Sequence, residues 1–222
     1  MSGKERKLPG GRENRCEDGD MSSLINMSMA ASMFVCGMCL CAAETVSNAN
    51  ADAARTAAER GDSAAQFRYA EMLRDGRGVK KNVLEAAVWT RKAADAGLAA
   101  AQCQMGLFYM NGLGVDRDED KAVEWLKKAA AQNHAQAQYN LGIYYAKFSD
   151  KTAYQQTLKW LKEAIKQDYA DAEYNLAKLY LNPHHPASRE PDAGTRAIQL
   201  LRLAAAQNHA GAKAVLVELG VN

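Results

Sequence analysis

Residues 101–137 read AQCQMGLFYMNGLGVDRDEDKAVEWLKKAAAQNHAQA. Ala101, Met105, Gly106 and Tyr109 stand at offsets 0, 4, 5 and 8, which lie on one face of a helix. Gly112 and Gly114 follow. Glycine after a helical run is the usual stop, since it accepts φ > 0 without a Cβ clash. Asp116 and Asp118 are placed to cap a second helix. Its stripe is Ala122, Trp125, Ala129 and Ala130, and Asn133 ends it. The stretch is one helix–loop–helix unit.

The unit recurs along the chain. Ala65, Ala101, Ala137, Ala172 and Ala212 are spaced by 36, 36, 35 and 40 residues. Four residues after each come Tyr69, Met105, Leu141, Leu176 and Leu216; one further on are Ala70, Gly106, Gly142, Ala177 and Val217. Second helices carry Trp89, Trp125 and Trp160, with Leu200 in the last copy. They stop at Gly97, Asn133, Asp168 and Asn208, with Gly61 in phase before them. Gly, Asn and Asp are the residues that tolerate the left-handed conformation. A single pair cannot bury its own stripe, so it stacks on the next. The expectation is an all-α, right-handed α-solenoid over 51–222. A helix near 51–60 leads into four helix pairs (65–100, 101–136, 137–171 and 172–211), and a last helix follows near 210–219. The three tryptophans are expected as packing wedges between helices.

Composition agrees. The chain has 222 residues, is 48% hydrophobic and 7% aromatic, and contains 4 Pro, which favours helix. Lys+Arg 28 against Asp+Glu 26 gives +2, a balance that argues against a nucleic-acid-binding surface. Five Cys are too few for a disulfide-built scaffold.

Residues 1–20 are polar, with Pro9, Gly10 and Gly11, and read as a disordered extension. Residues 24–43, LINMSMAASMFVCGMCLCAA, carry no charge and end in small residues before Glu44. Residues 21–43 therefore read as a signal peptide cut near Ala43, or as an uncleaved membrane anchor. The polar stretch ahead is long and partly acidic for a signal peptide, which leaves Met21 as an alternative start. The expected location is periplasmic or secreted, or anchored by 24–43, the one segment expected to contact membrane. Removing 1–43 leaves Cys103 as the sole cysteine.

The second copy resembles a Sel-one-like repeat, a relative of the tetratricopeptide repeat. It matches that pattern at Ala101, Met105, Gly106, Tyr109, Gly112, Gly114, Val115, Asp118, Lys121, Ala122, Trp125, Lys128, Ala129 and Ala130. Copies three and four depart in the loop, with Phe148-Ser149-Asp150 and the Pro183–Pro191 insertion. The resemblance implies an adaptor or regulator that assembles other proteins, and many bacterial members are exported. One cysteine-rich, exported branch is associated with β-lactam binding or hydrolysis. Its within-repeat cysteine pairs do not occur here.

Chemistry is hard to assemble. The repeats hold no Ser-x-x-Lys, no Gly-x-Ser-x-Gly, no His-Glu-x-x-His and no phosphate loop. His184-His185 reads as a solvated loop, since adjacent loop side chains seldom converge on one metal. No cofactor or metal is expected. His134 and His209 recur as neighbours of helix ends, and Lys159, Lys162 and Lys166 as a solvated outer stripe, the alternative being a basic face for an acidic partner or anionic surface.

The surface with the best claim to function is the inner wall of first helices. Offsets 2, 6 and 9 fall beside the packed stripe and give Phe67, Cys103, Leu107, Met110, Tyr139, Ile143 and Tyr174. Stacking aligns them into ladders, apolar in the middle and charged at the ends, suited to a protein or peptide segment. Some of these rings could instead tuck into the inter-repeat core. The expected function is a non-enzymatic interaction scaffold or regulator. The alternative is an exported hydrolase or cell-wall-associated enzyme, which would need a convergent polar cluster.

Overall fold

The computed structural model describes residues 49–148 and 150–221. Among them are ten α-helices and no strand. Helix α1 spans 49–59. It is followed by α2 (Ser63–Asp75), α3 (Val83–Asp95), α4 (Ala99–Asn111), α5 (Glu119–Ala131), α6 (Ala135–Tyr145) and α7 (Lys151–Ile165). Then come α8 (Ala170–Leu181), a 3-10 turn (Pro186–Arg189), α9 (Ala193–Ala206) and α10 (Ala210–Glu218). The main helix contacts run between chain neighbours, α2 with α3, α3 with α4, and so on to α10. The fold is a right-handed α-solenoid; the even-numbered helices, the first of each pair, make up the layer called inner here, and the odd-numbered ones the layer called outer. The readings of residues 1–43 lie outside the described residues.

The phasing follows from local chemistry. Asn82, Asp118 and Asp150 cap α3, α5 and α7 by accepting from backbone N–H groups of the first turn. His134 and His209 cap α6 and α10, each accepting through Nδ1, from the N–H of Ala137 and Ala212. The outer-layer stops are left-handed: Gly97 at φ +93, Asn133 at +60, Asp168 at +54 and Asn208 at +65. The anchor alanines 65, 101, 137, 172 and 212 are all fully buried. At offset 4, Tyr69, Met105, Leu141, Leu176 and Leu216 are buried too. A Cβ on Gly106 would stand 2.7 Å from Leu126 Cγ and 3.0 Å from the Ala122 carbonyl oxygen, so the bare backbone lets α4 and α5 close together.

The insertion differs from expectation. His185 is 8% exposed rather than solvated, because the segment folds back on α8 and α9 as the 3-10 turn. Its Nδ1 accepts from the Ala187 N–H at 3.2 Å, and its ring meets the Tyr154 edge. Tyr154 donates its hydroxyl to Glu190, which also pairs with Arg196 at 2.6 Å. Burial, then Glu190, pushes the Tyr154 phenol up, so it remains a neutral donor.

A buried amide relay ties successive repeats. Gln102 Nε2 donates to the Ala94 carbonyl at 3.1 Å, and its Oε1 accepts from Gln132 at 2.8 Å. Gln138 repeats this with Ala130 and Gln167. In the first repeat Gln66 donates to the Ala58 carbonyl, yet its Oε1 is buried without a partner. The residue that should donate to it is Ala96, where the other repeats have Gln132, Gln167 and Gln207. Ala96→Gln should therefore stabilise the chain by about 1 kcal/mol, measured by chemical denaturation of both proteins. An unchanged midpoint would mean that Gln66 already has a partner.

The fourth repeat substitutes an acid into the same relay. Glu173 is 2% exposed and accepts from Gln207 at 3.0 Å. Burial, then the nearby Asp168 charge, holds its carboxyl above the ordinary value of 4.5. The folded state thus binds this proton more tightly than the unfolded chain. No penalty exists below about pH 4.5, and it grows as pH rises through the raised folded value. Glu173→Gln should gain about 1 kcal/mol at pH 7 and lose that advantage near pH 4, read from melting at both pH values. An equal effect at both would contradict the assignment.

Candidate interaction surface

The inner layer is chemically uneven. Helices α4 (AAAQCQMGLFYMN) and α6 (AQAQYNLGIYY) contain no charged residue. By contrast α2 holds Arg68, Glu71, Arg74 and Asp75, and α8 holds Asp171, Glu173 and Lys178. Along the open side of α4 and α6, Gln104, Leu107, Met110, Asn140, Ile143 and Tyr144 are all partly exposed. The wall is therefore neutral in its middle and charged toward its ends.

Side-chain bonds hold the inner helices in register. Arg74 Nη1 donates to Gln104 Oε1 at 3.1 Å, and Asn175 Nδ2 to the Tyr139 hydroxyl at 3.0 Å. Asn140 Nδ2 lies 3.9 Å from Cys103 Sγ. Arg74 is also paired with Asp75 at 2.7 Å, a contact that raises the guanidinium pKa further and anchors the charged end.

The sequence-derived ladder divides in three. Leu107 is partly exposed and belongs to no buried cluster. Phe67, Met110, Tyr139, Ile143 and Tyr174 are partly exposed but also packed on inter-repeat clusters. Tyr139 stacks on Tyr169 with centroids 5.3 Å apart, and Tyr174 on His209 at 4.4 Å. Burial raises the Tyr139 phenol, with Asp171 adding to the effect. Cys103 is a correction: it is 1% exposed, walled in by Leu126 and Leu141, and burial pushes its thiol up to about 11. It offers neither a contact nor a reactive thiolate.

Sequence reasoning missed the amide row of Gln104, Asn140 and Asn175. The signal was present, since all three stand at offset 3, one residue beyond the ladder. No group of three or more His, Cys, Asp or Glu could hold a metal among the described residues.

The Sel1 repeat model matches residues 63–98, 99–134, 135–169 and 170–209, one match per helix pair. The chain belongs to the Sel1 repeat family. Each Sel1 repeat therefore begins at an inner helix and ends just past the left-handed stop of the outer one. Among solved structures, the chain is similar to c5321, a protective antigen of uropathogenic Escherichia coli strains with an SLR fold. The match has a TM-score of 0.69 and 27% identity, covering 79% of this chain and 38% of that one. A Sel1 repeat protein from Oxalobacter formigenes matches with a TM-score of 0.63 and 32% identity, covering 70% and 62%. The chain thus spans less than two thirds of either neighbour. No curated protein matches. Sel1 repeats suggest a protein-interaction scaffold, and proteins built from them are typically non-catalytic.

Proposed function

We propose that this Sel1 repeat chain is a non-enzymatic scaffold that holds a segment of a partner protein against the inner wall of α4 and α6, and that it works after export. The carrying observation is the absence of charge from those two helices, whose open side nevertheless keeps Leu107, Met110, Ile143 and Tyr144 partly exposed. A soluble protein that leaves apolar and amide groups in a row offers them to another chain. The amides can hydrogen-bond an incoming backbone while the apolar groups lose water to its side chains. The uncharged run 24–43 with its small-residue ending supports export.

A photo-crosslinking amino acid at position 107, and in parallel at Lys127 on α5, tests the site in the native host. A partner captured from 107 and not from 127 is expected. Capture from 127 alone would move the working surface to the outer layer. Mass spectrometry of the purified native protein tests export. A mature N-terminus near Glu44 is expected, while an intact Met1 on protein from the cytosol would refute it.

A further inference from the structure

The last full repeat departs from the others on its outer face. In the first two repeats, α3 and α5 each carry a tryptophan with a lysine three residues on, and the ammonium covers the ring. Lys92 lies 3.8 Å from the Trp89 centroid and Lys128 4.1 Å from that of Trp125. In α9 both positions are leucine, Leu200 and Leu203. Neither offers a ring for a cation to cover, and Leu203 is 53% exposed. The smaller side chains leave a cavity of about 340 Å³ between α7 and α9, floored by Leu176 and Tyr180 of α8.

Charge changes at the same place. The outer helices α3 and α5 balance acids and bases. Helix α7 with its two caps carries Lys151, Lys159, Lys162 and Lys166 against Asp150 and Glu163, and α9 carries Arg196 and Arg202 with Asp192 at its N-cap. Lys162 and Arg196 line the cavity. Lys166 is held by Glu163 at 2.7 Å and Arg196 by Glu190, whereas Lys162 makes no ion pair among the described residues. An apolar recess is thus rimmed by cations on a chain that is nearly neutral overall.

We propose that this outer groove docks an acidic segment of a partner protein. A leucine or aromatic side chain of that segment seats against Leu200 and Leu203, and its carboxylates meet Lys162 and Arg196. The charge of the rim selects the acidic partner. The recessed floor, with Leu176 at 2% and Tyr180 at 4% exposure, gives a peptide side chain a seat below the rim, whereas a bilayer would engage the projecting Leu203 and leave the floor unused. The site is independent of the inner wall.

The test pans a random peptide display library on the full chain, subtracting peptides that the Leu203→Glu variant also retains. The expected survivors are net acidic and contain Leu, Phe or Trp. Synthetic copies should bind about tenfold or more weakly to Leu203→Glu and to Lys162→Glu, bind normally to Leu107→Glu, and weaken with added salt. Both outer positions are exposed, and a more conservative Leu203→Ser serves if the glutamate variant melts early. Subtraction that leaves no enrichment, or survivors that are neutral or basic, overturns the proposal. So does phosphatidylserine-vesicle binding that falls in both outer variants without peptide enrichment, which would assign the face to anionic lipid.

Discussion

Trp125→Ala is expected to destabilise the chain by about 3–5 kcal/mol, the range for deleting a buried aromatic side chain. Trp125 is 8% exposed and packs in one cluster with Ala93, Ala101, Met105, Tyr109 and Ala122. These residues come from three consecutive helices, α3, α4 and α5. The indole therefore cements one repeat to the next as well as closing its own pair. Lys128 covers its outer face, so the loss includes a cation–π contact. Because a solenoid's stability is a sum of repeat and interface contributions, damage here should also uncouple the first repeat from the rest. Chemical denaturation should show a lower midpoint and a broader transition. A midpoint within error of wild type would mean that the pairing of α4 with α5 is wrong.

Gly114→Ala should be nearly as damaging, at roughly 3 kcal/mol. Gly114 sits at φ +68 in the α4–α5 loop, and a Cβ there would stand 2.4 Å from the Val83 carbonyl oxygen and 2.9 Å from Ala87 Cβ. Val83 opens α3, so the methyl group strikes the backbone of the preceding repeat. Backbone strain and overpacking each cost about 1–3 kcal/mol, and neither can relax by rotating a side chain. Gly194→Ala is the control. Gly194 lies in α9 with nothing within 4 Å of an added Cβ, so alanine should be neutral or slightly stabilising. Thermal melting of both variants checks the pair. Equal behaviour would mean that the loop does not seat on α3.

The fold was legible because the solenoid repeats its own chemistry. An isolated Asn133 says little, but Gly97, Asn133, Asp168 and Asn208 in one phase can be explained only by a left-handed stop, and all four have positive φ. The third copy could be placed without its glycine loop, since Ala137, Leu141 and Trp160 keep the stripe. The surface was less legible. Helical offsets say which side chains share a face, yet partial exposure depends on how far each helix leans on its neighbours. Cys103 and Leu107 lie one turn apart on α4, but only Leu107 is open, because the next inner helix brings Asn140 against the sulfur. His185 was misjudged for a similar reason: nothing local to Pro183–Pro191 announces the hydroxyl of Tyr154, 36 residues from Glu190, that pins the insertion down.

The central claim is that the neutral inner wall of α4 and α6 is the partner-binding surface. The direct measurement is the affinity of the partner captured at position 107 for two variants, Leu107→Glu and Lys127→Glu, each first shown to melt as wild type does. Leu107→Glu places a charge in the middle of a wall that has none, and should weaken binding by at least about 2 kcal/mol, the scale of a central hot spot. Lys127→Glu, exposed on the outer helix α5, should change it by less than about 0.5 kcal/mol. Full affinity in the Leu107 variant together with a loss in the Lys127 variant would contradict the account.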